Sequence, residues 1–427
     1  MRGTYIFDYE DSMVTTGATA TTAARNAPTN RVTLAMIAEI EQRAYAIIER
    51  LRTKVFAPES RKTLDLRFNP TEAAKMVGRT AQHIRLRESE GKLPPPDVDE
   101  TGRRVGYSLE QVNRMREFFG TLPYRADTDE PIILSIQSFK GGVGKSVTSC
   151  HLAQDLALKG YRVCVVDCDP QGSTTLLFGL NPDLDLDEND TIYPFLAGQV
   201  SDDVFKNFDT LHYAVHKTYW PNISIIPANL YLYNAEYELA AQAREDASHL
   251  VRLRQGLDTI KDQFDVIIID PPPALGMISL SVLQAVNAMV VPVPPSNVDF
   301  SSTAHFFTML KDTLALMEDR GMPTNYKFVK VLVSKKDERK ASHQEITDMM
   351  GLVFGNDMLK AQMKDSAEVD TAAANFMTVL EQRGPQASRE TYKRALAFIQ
   401  AVGNEVELEI RKTWPSHHDA LREKGVL

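Results

Sequence analysis

The chain has 427 residues, 43% of them hydrophobic and 25% charged, and a formal net charge of −9. That length suggests two or three domains with a core that needs no disulfide or metal staple, and the balance excludes a collagenous or wholly disordered chain. No apolar run is long enough to span a membrane, Met1 to Asn30 lacks the pattern of a secretory signal, and the acidic total, taken whole, argues against a nucleic-acid binder.

In chain order, residues 1–30 are rich in Thr and Ala and read as a disordered lead-in. Residues 31–60 carry Leu34, Ile37, Ala38, Ala44, Tyr45, Ile48, Leu51 and Val55 at helical spacing. This helix either packs on its own domain or forms a dimer. Residues 61–122 predict a helix from Asn69 as N-cap to Gly78 and a second from near Thr80 to Gly91. An extended path through Pro94–Pro96 and a basic hairpin at Thr101–Arg104 follow, and a third helix opens at Ser108. That order is a winged helix-turn-helix pattern. Residues 123–130 are polar and acidic, a linker by composition. From 131 to 427, apolar runs at Ile132–Ile136, Val163–Val166, Ile223–Ile226, Val266–Ile269, Ala288–Val293 and Phe328–Val333 alternate with helical patterns. The runs are continuous, as in strands buried on both faces, so the expected fold class is α/β with a doubly wound, mainly parallel sheet. Cys150, Cys164 and Cys168 have apolar neighbours and no zinc or redox spacing, which fits buried, reduced thiols in a cytoplasmic protein.

The strongest chemical signal is the loop Phe139-Lys140-Gly141-Gly142-Val143-Gly144-Lys145-Ser146, set between a buried strand and a helix that includes Val147. Its glycines let backbone N–H groups turn inward around phosphates, and the helix N-terminus adds a favourable dipole. Lys145 would reach the β- and γ-phosphates, and the Ser146 hydroxyl would ligate Mg²⁺. Phe139 stands where the common motif has its first glycine. A second motif, Asp167-Cys168-Asp169-Pro170-Gln171, ends an apolar strand at the usual ligand edge of an open sheet. Alternation puts both acids on one side while strand geometry lasts. One would organise the water around the metal and the other the attacking water. A third strand ends in Asp270, placed near Mg²⁺.

Together these motifs resemble the ParA/MinD group of deviant-Walker P-loop ATPases, with Lys140 at the position of the group's signature lysine. The resemblance covers most of Pro131 to about Ile410. It implies ATP or ADP with Mg²⁺ as ligands, an ATP-bound sandwich homodimer in which Lys140 reaches the partner's phosphates, and support of hydrolysis by Asp169. The segment from Arg61 to Phe119 is similar to the N-terminal domain of the larger ParA subclass, above all the RepA proteins of repABC-type replicons, and also to MerR-type modules. For the family this implies segregation of a low-copy replicon with a ParB/RepB-like centromere-binding partner, repression of its own operon, no membrane association, and a cytoplasmic bacterial protein that joins the nucleoid when ATP-bound.

Charge counted by segment changes the first impression. Arg61 to Arg125 carries a net +4, leaving −13 for the remainder. Arg79, Gln82, Arg85 and Arg87 belong to the second helix or its start, and Arg103 and Arg104 to the wing. Phosphate contacts supply affinity and base-edge contacts supply choice, with Gln82 and Arg85 as the expected base readers. Arg389, Lys393 and Arg394 form a second basic cluster, for DNA without sequence preference or simply a solvated helix face. Two other readings stay open: a membrane-patterning ATPase of the MinD type, and a nucleotide-sensing transcription regulator without turnover.

Overall fold

Apolar residues repeating at helical spacing build α1 (Leu34–Val55), and Leu34, Ile37, Ile40, Tyr45 and Ile47 along it are exposed. The computed structural model describes residues 33–55, 62–198, 208–322, 324–382, 384–386 and 388–427, so the expected lead-in lies outside the described residues. The chain divides into two units, Met1–Ser60, which holds α1, and Arg61–Leu427.

The second unit begins with an extended stretch and then α2 (Pro70–Val77), α3 (Ala81–Ser89), the antiparallel pair β1 (Asp97–Val98) and β2 (Arg104–Gly106), and α4 (Leu109–Phe119). Local chemistry sets these bounds. The Asn69 side chain accepts from the amides of Thr71 (2.9 Å) and Glu72 (3.0 Å), while Glu72 accepts from the Asn69 amide, a reciprocal cap. Gly78, with φ 70°, ends α2 in a left-handed turn. Ser108 and Gln111 cap α4 in the same reciprocal way. Ala73, Val77, Ile84, Leu93, Tyr107, Val112 and Met115 make a small core beneath these helices.

The remaining elements are β3 (Ile132–Ile136), α5 (Lys145–Lys159), β4 (Val163–Asp167), α6 (Ser173–Leu177), α7 (Tyr193–Ala197), β5 (His216–Lys217), β6 (Ile223–Ile226), α8 (Leu232–Glu245), α9 (Arg252–Ile260), β7 (Val266–Asp270), α10 (Met277–Ala285), β8 (Ala288–Val293), α11 (Asn297–Asp319), β9 (Phe328–Val333), α12 (Ala341–Phe354), α13 (Ala367–Ala374), α14 (Arg389–Lys412) and α15 (His418–Glu423). The strands lie in the order β5-β6-β4-β7-β3-β8-β9, all parallel except β5, which runs antiparallel to β6. Alternation divides each central strand between two cores. Ile132, Leu134, Ile136, Val163 and Val165 face a cluster that includes Leu156 of α5 and Phe398 and Val402 of α14. Ile133, Cys164, Val166, Ile267 and Ile269 face the opposite cluster, with Leu257 and Val282. Burial on both faces is why these strands read as unbroken apolar runs.

Residues 123–130, expected as a linker, are held in place. Arg125 is buried and donates to the carbonyls of Phe264 (3.3 Å) and Asp129 (3.0 Å), and the buried Trp414 indole donates to the Glu130 carbonyl (2.9 Å). Arg116 of α4 makes a second tie, donating to Met76 O (3.2 Å) and to Leu158 O of α5 (2.7 Å). Burial lowers this guanidinium to about 10. The helices of residues 70–119 are therefore fastened to the sheet-bearing part rather than tethered to it.

Candidate active site

Three neighbouring strands, β4, β7 and β3, bring the three sequence motifs to one edge of the sheet. Asp167 and Asp270 pair directly in the parallel register of β4 and β7. The loop after β3 turns at Gly142 (φ 75°) and Gly144 (φ 91°), a backbone region where a side chain would be strained, and Gly144 starts α5 without a side-chain cap. The first turn of α5 thus keeps its amides available beside a cleft of about 500 Å³. Gly141 to Thr148 line this cleft with Asp169, Lys335 and Asp365.

Electrostatics at this edge are set by burial. Asp167 is wholly buried: one carboxylate oxygen accepts from the amide and hydroxyl of Thr175 (both 2.8 Å), the other from the Asp169 amide (3.1 Å). Asp270 accepts from the Thr174 hydroxyl (2.7 Å) and the Ser149 hydroxyl (3.4 Å), and its carboxylate also bonds Ser146. Burial raises both acids above the usual carboxylate range, and the Asp270 charge beside it pushes Asp167 in the same direction. Lys145 is 6% exposed, and burial lowers it, opposed by the charges of Asp270 and Asp169. The edge is a buried set of charges with an excess of acid, a setting in which a cation is stabilised.

Asp169 does not share the alternation of Asp167, because β4 ends at Asp167 and the chain turns. It is partly exposed, lines the cleft, and accepts from the Gln171 amide (3.0 Å). Lys140 is exposed and forms an ion pair with Asp299 in the first turn of α11. Phe139 stacks on Phe306 at 4.9 Å, a packing role in place of the glycine. Sequence reasoning missed Thr174, Thr175 and Asp299. The hydroxyl run Ser173-Thr174-Thr175 directly after the second motif was a usable signal for the first two, whereas nothing local marked Asp299, 159 positions from its partner.

The basic residues expected to meet DNA separate into two kinds. Gln82 and Arg85 are exposed on α3, and Arg103 and Arg104 on the hairpin. Arg79 is committed elsewhere, donating to Gly78 O (3.0 Å) and Phe119 O (3.2 Å) over the Phe119 ring. Arg87 pairs with Glu90 at 2.7 Å. Arg389, Lys393 and Arg394 lie exposed at the start of α14.

A family profile described as an AAA domain matches residues 132–318. Protein SopA of Escherichia coli strain K12 is 37% identical over 360 residues, covering 82% of this chain and 89% of SopA. A replication protein A of Rhizobium rhizogenes is 31% identical over 398 residues, covering 90% and 96%. A solved partition protein shares the fold with a TM-score of 0.62 at 20% identity, over 87% of this chain and 98% of its own. With the phosphate loop and its two acids at one sheet edge, and with identity at this level over most of both chains, the protein belongs to the ParA/MinD family of P-loop partition ATPases.

Proposed function

We propose that this protein segregates DNA by binding and hydrolysing ATP in the cleft at Gly141–Thr148 and by changing its hold on DNA with the nucleotide it carries. The observation that carries this reading is the register pair Asp167–Asp270 set beside Lys145 and Ser146. The amides of the turn and of the first turn of α5 receive the phosphates, and Lys145 adds a partly desolvated positive charge there. Ser146 and Asp270 supply hard oxygen donors of the kind Mg²⁺ takes, and the ion would offset phosphate charge. Asp167 holds the turn to Asp169 through its bond to that amide. With one Asp169 oxygen on the Gln171 amide, the other is left to orient the attacking water.

Lys140 serves as the lysine that crosses to a second protomer's phosphates. Asp299 holds it on its own protomer until then. The exposed apolar residues of α1 suit a homodimer contact. The segment 61–122 acts as a winged helix-turn-helix in which α3, through Gln82 and Arg85, reads an operator and represses the protein's own operon. The cluster at Arg389, Lys393 and Arg394 holds DNA without sequence preference in the ATP state, which would place the protein on the nucleoid. A ParB/RepB-like protein is the expected partner. Among the described residues no helix is long and apolar enough to cross a membrane, and α15, six residues long with Leu421 turned inward, gives the membrane-patterning reading no support.

The test is Asp169→Ala. ATP affinity should be kept while single-turnover hydrolysis falls on the order of 10²-fold, the usual loss when a general base is removed. Hydrolysis at the wild-type rate would take the catalytic role away from Asp169.

A further inference from the structure

Lys62 belongs to none of the ATPase motifs, yet it approaches the site from behind. From Lys62 to Phe68 the chain is extended and its burial alternates: Lys62, Leu64, Leu66 and Phe68 turn inward while Thr63, Asp65 and Arg67 turn out. Leu64, Leu66 and Phe68 pack against the core cluster that α5 and α14 share. Phe68 also exchanges both backbone hydrogen bonds with Tyr107, each 2.9 Å, and so joins this strap to the small core under α2, α3 and α4.

At the other end of the strap the Lys62 ammonium donates to the carbonyl of Leu177, the last residue of α6, at 2.8 Å. It lies 3.4 Å from the Tyr219 hydroxyl and 3.4 Å from a Glu381 carboxylate oxygen. The Lys62 side chain is 21% exposed and that of Glu381 5%. Burial lowers the lysine, opposed by the Glu381 charge. A pair serving only to neutralise Glu381 would place its shortest contact there, yet the shortest contact goes to α6. The opposite end of α6 holds the site: Thr174 donates to Asp270 and Thr175 to Asp167. One five-residue helix is therefore gripped by both site acids at its start and by Lys62 at its end.

We infer that Lys62 is a positioning residue for the ATP site, fixing α6, and with it Thr174 and Thr175, to the strap that carries the DNA-reading helices. The inference rests on the proposed function, and it adds the physical route between the two activities. Movement of α6 through Thr174 and Thr175 reaches Phe68 and Tyr107 along the extended backbone from Lys62 to Phe68.

Hydrogen–deuterium exchange on the wild-type chain, with and without ATP and Mg²⁺, tests the route without any substitution. Protection should change at the amides of residues 63–68 together with the loop at Gly141–Ser146. A protected loop with an unchanged strap overturns the inference, whereas a loop that ATP does not protect overturns the ATPase reading and the inference with it. The variant Lys62→Met with Glu381→Gln removes both charges at once and leaves no buried charge unpaired. ATP affinity should stay within about threefold of wild type while single-turnover hydrolysis drops about tenfold, since a small misplacement of site groups acts on the chemical step. A double variant that hydrolyses ATP at the wild-type rate reduces Lys62 to a structural ion pair and overturns the inference.

Discussion

Charge is handled in opposite ways in two regions of this protein. In the cleft, Lys145, Asp167 and Asp270 are buried and each already has partners in the protein. On α3, Gln82 and Arg85 are exposed, and Arg85 has no ion pair among the described residues. Buried charges cost free energy to desolvate, so they persist where their arrangement is used, and removing one partner leaves the others exposed to that cost. Exposed cations cost little to keep and stay free for a polyanion, whose counterions they release on binding. The two regions should therefore fail differently: substitutions in the cleft act on chemistry and stability, and substitutions on α3 act on affinity and its dependence on salt.

The largest effect is expected at Lys145. Lys145→Ala removes a buried cation that faces Asp270 and Asp169 in the cleft, and ATP affinity should fall on the order of 10²- to 10³-fold, about 3–4 kcal/mol. Titration with a fluorescent ATP analogue measures this. Unweakened binding would mean that the phosphates sit elsewhere.

The next effect is a stability change with pH, and it belongs to the same buried part. His151 of α5 is buried, with Nδ1–H donating to Val147 O (2.7 Å) and Nε2 accepting from the Val379 amide (3.3 Å). Both ring nitrogens are used as a neutral imidazole uses them, and burial lowers the pKa from 6.5 to about 4. The unfolded chain takes up this proton near pH 6.5, whereas the folded chain does so only near 4. The contribution of neutral His151 is thus complete above pH 6.5 and is lost as pH falls toward 4, by up to about 3 kcal/mol. Urea unfolding across that window, compared with His151→Gln, checks it. Equal pH slopes in the two proteins would assign the acid sensitivity to other groups.

How much of this was legible in the sequence follows from the range of the interactions. Strand burial and the phosphate loop are encoded in consecutive residues, so Ile132–Ile136 and Gly141–Ser146 could be read directly. The caps at Asn69 and Ser108 are equally local. β5 was not foreseen, because two residues carry no periodicity. Lys140 meeting Asp299, Thr175 meeting Asp167 and Lys62 meeting Leu177 depend on which elements the sheet order brings together. No spacing rule reaches across such separations. Residues 123–130 look like a linker by composition, but Arg125 and Asp129 are buried there through bonds to distant carbonyls and to Ser416. The same limit affected the count of cations on α3. Spacing does not distinguish Arg87 on α3, or Arg79 just before it, from Arg85, although Glu90 and Phe119 hold the first two.

That difference within one helix gives the smallest but sharpest expectation. Binding of a random-sequence duplex, followed by fluorescence anisotropy over a range of salt, reports how many cations meet phosphates. On such DNA, where a base-reading arginine meets no matched base and turns to phosphate, Arg85→Ala should lower the slope of log affinity against log salt by about one unit. Arg87→Ala should leave the slope nearly unchanged, because Glu90, which also pairs with Lys92 at 2.9 Å, already neutralises that guanidinium. Equal losses from both substitutions would show that the Arg87–Glu90 pair opens on DNA, and the line between committed and free cations on α3 would then have to be drawn by the complex rather than by the free protein.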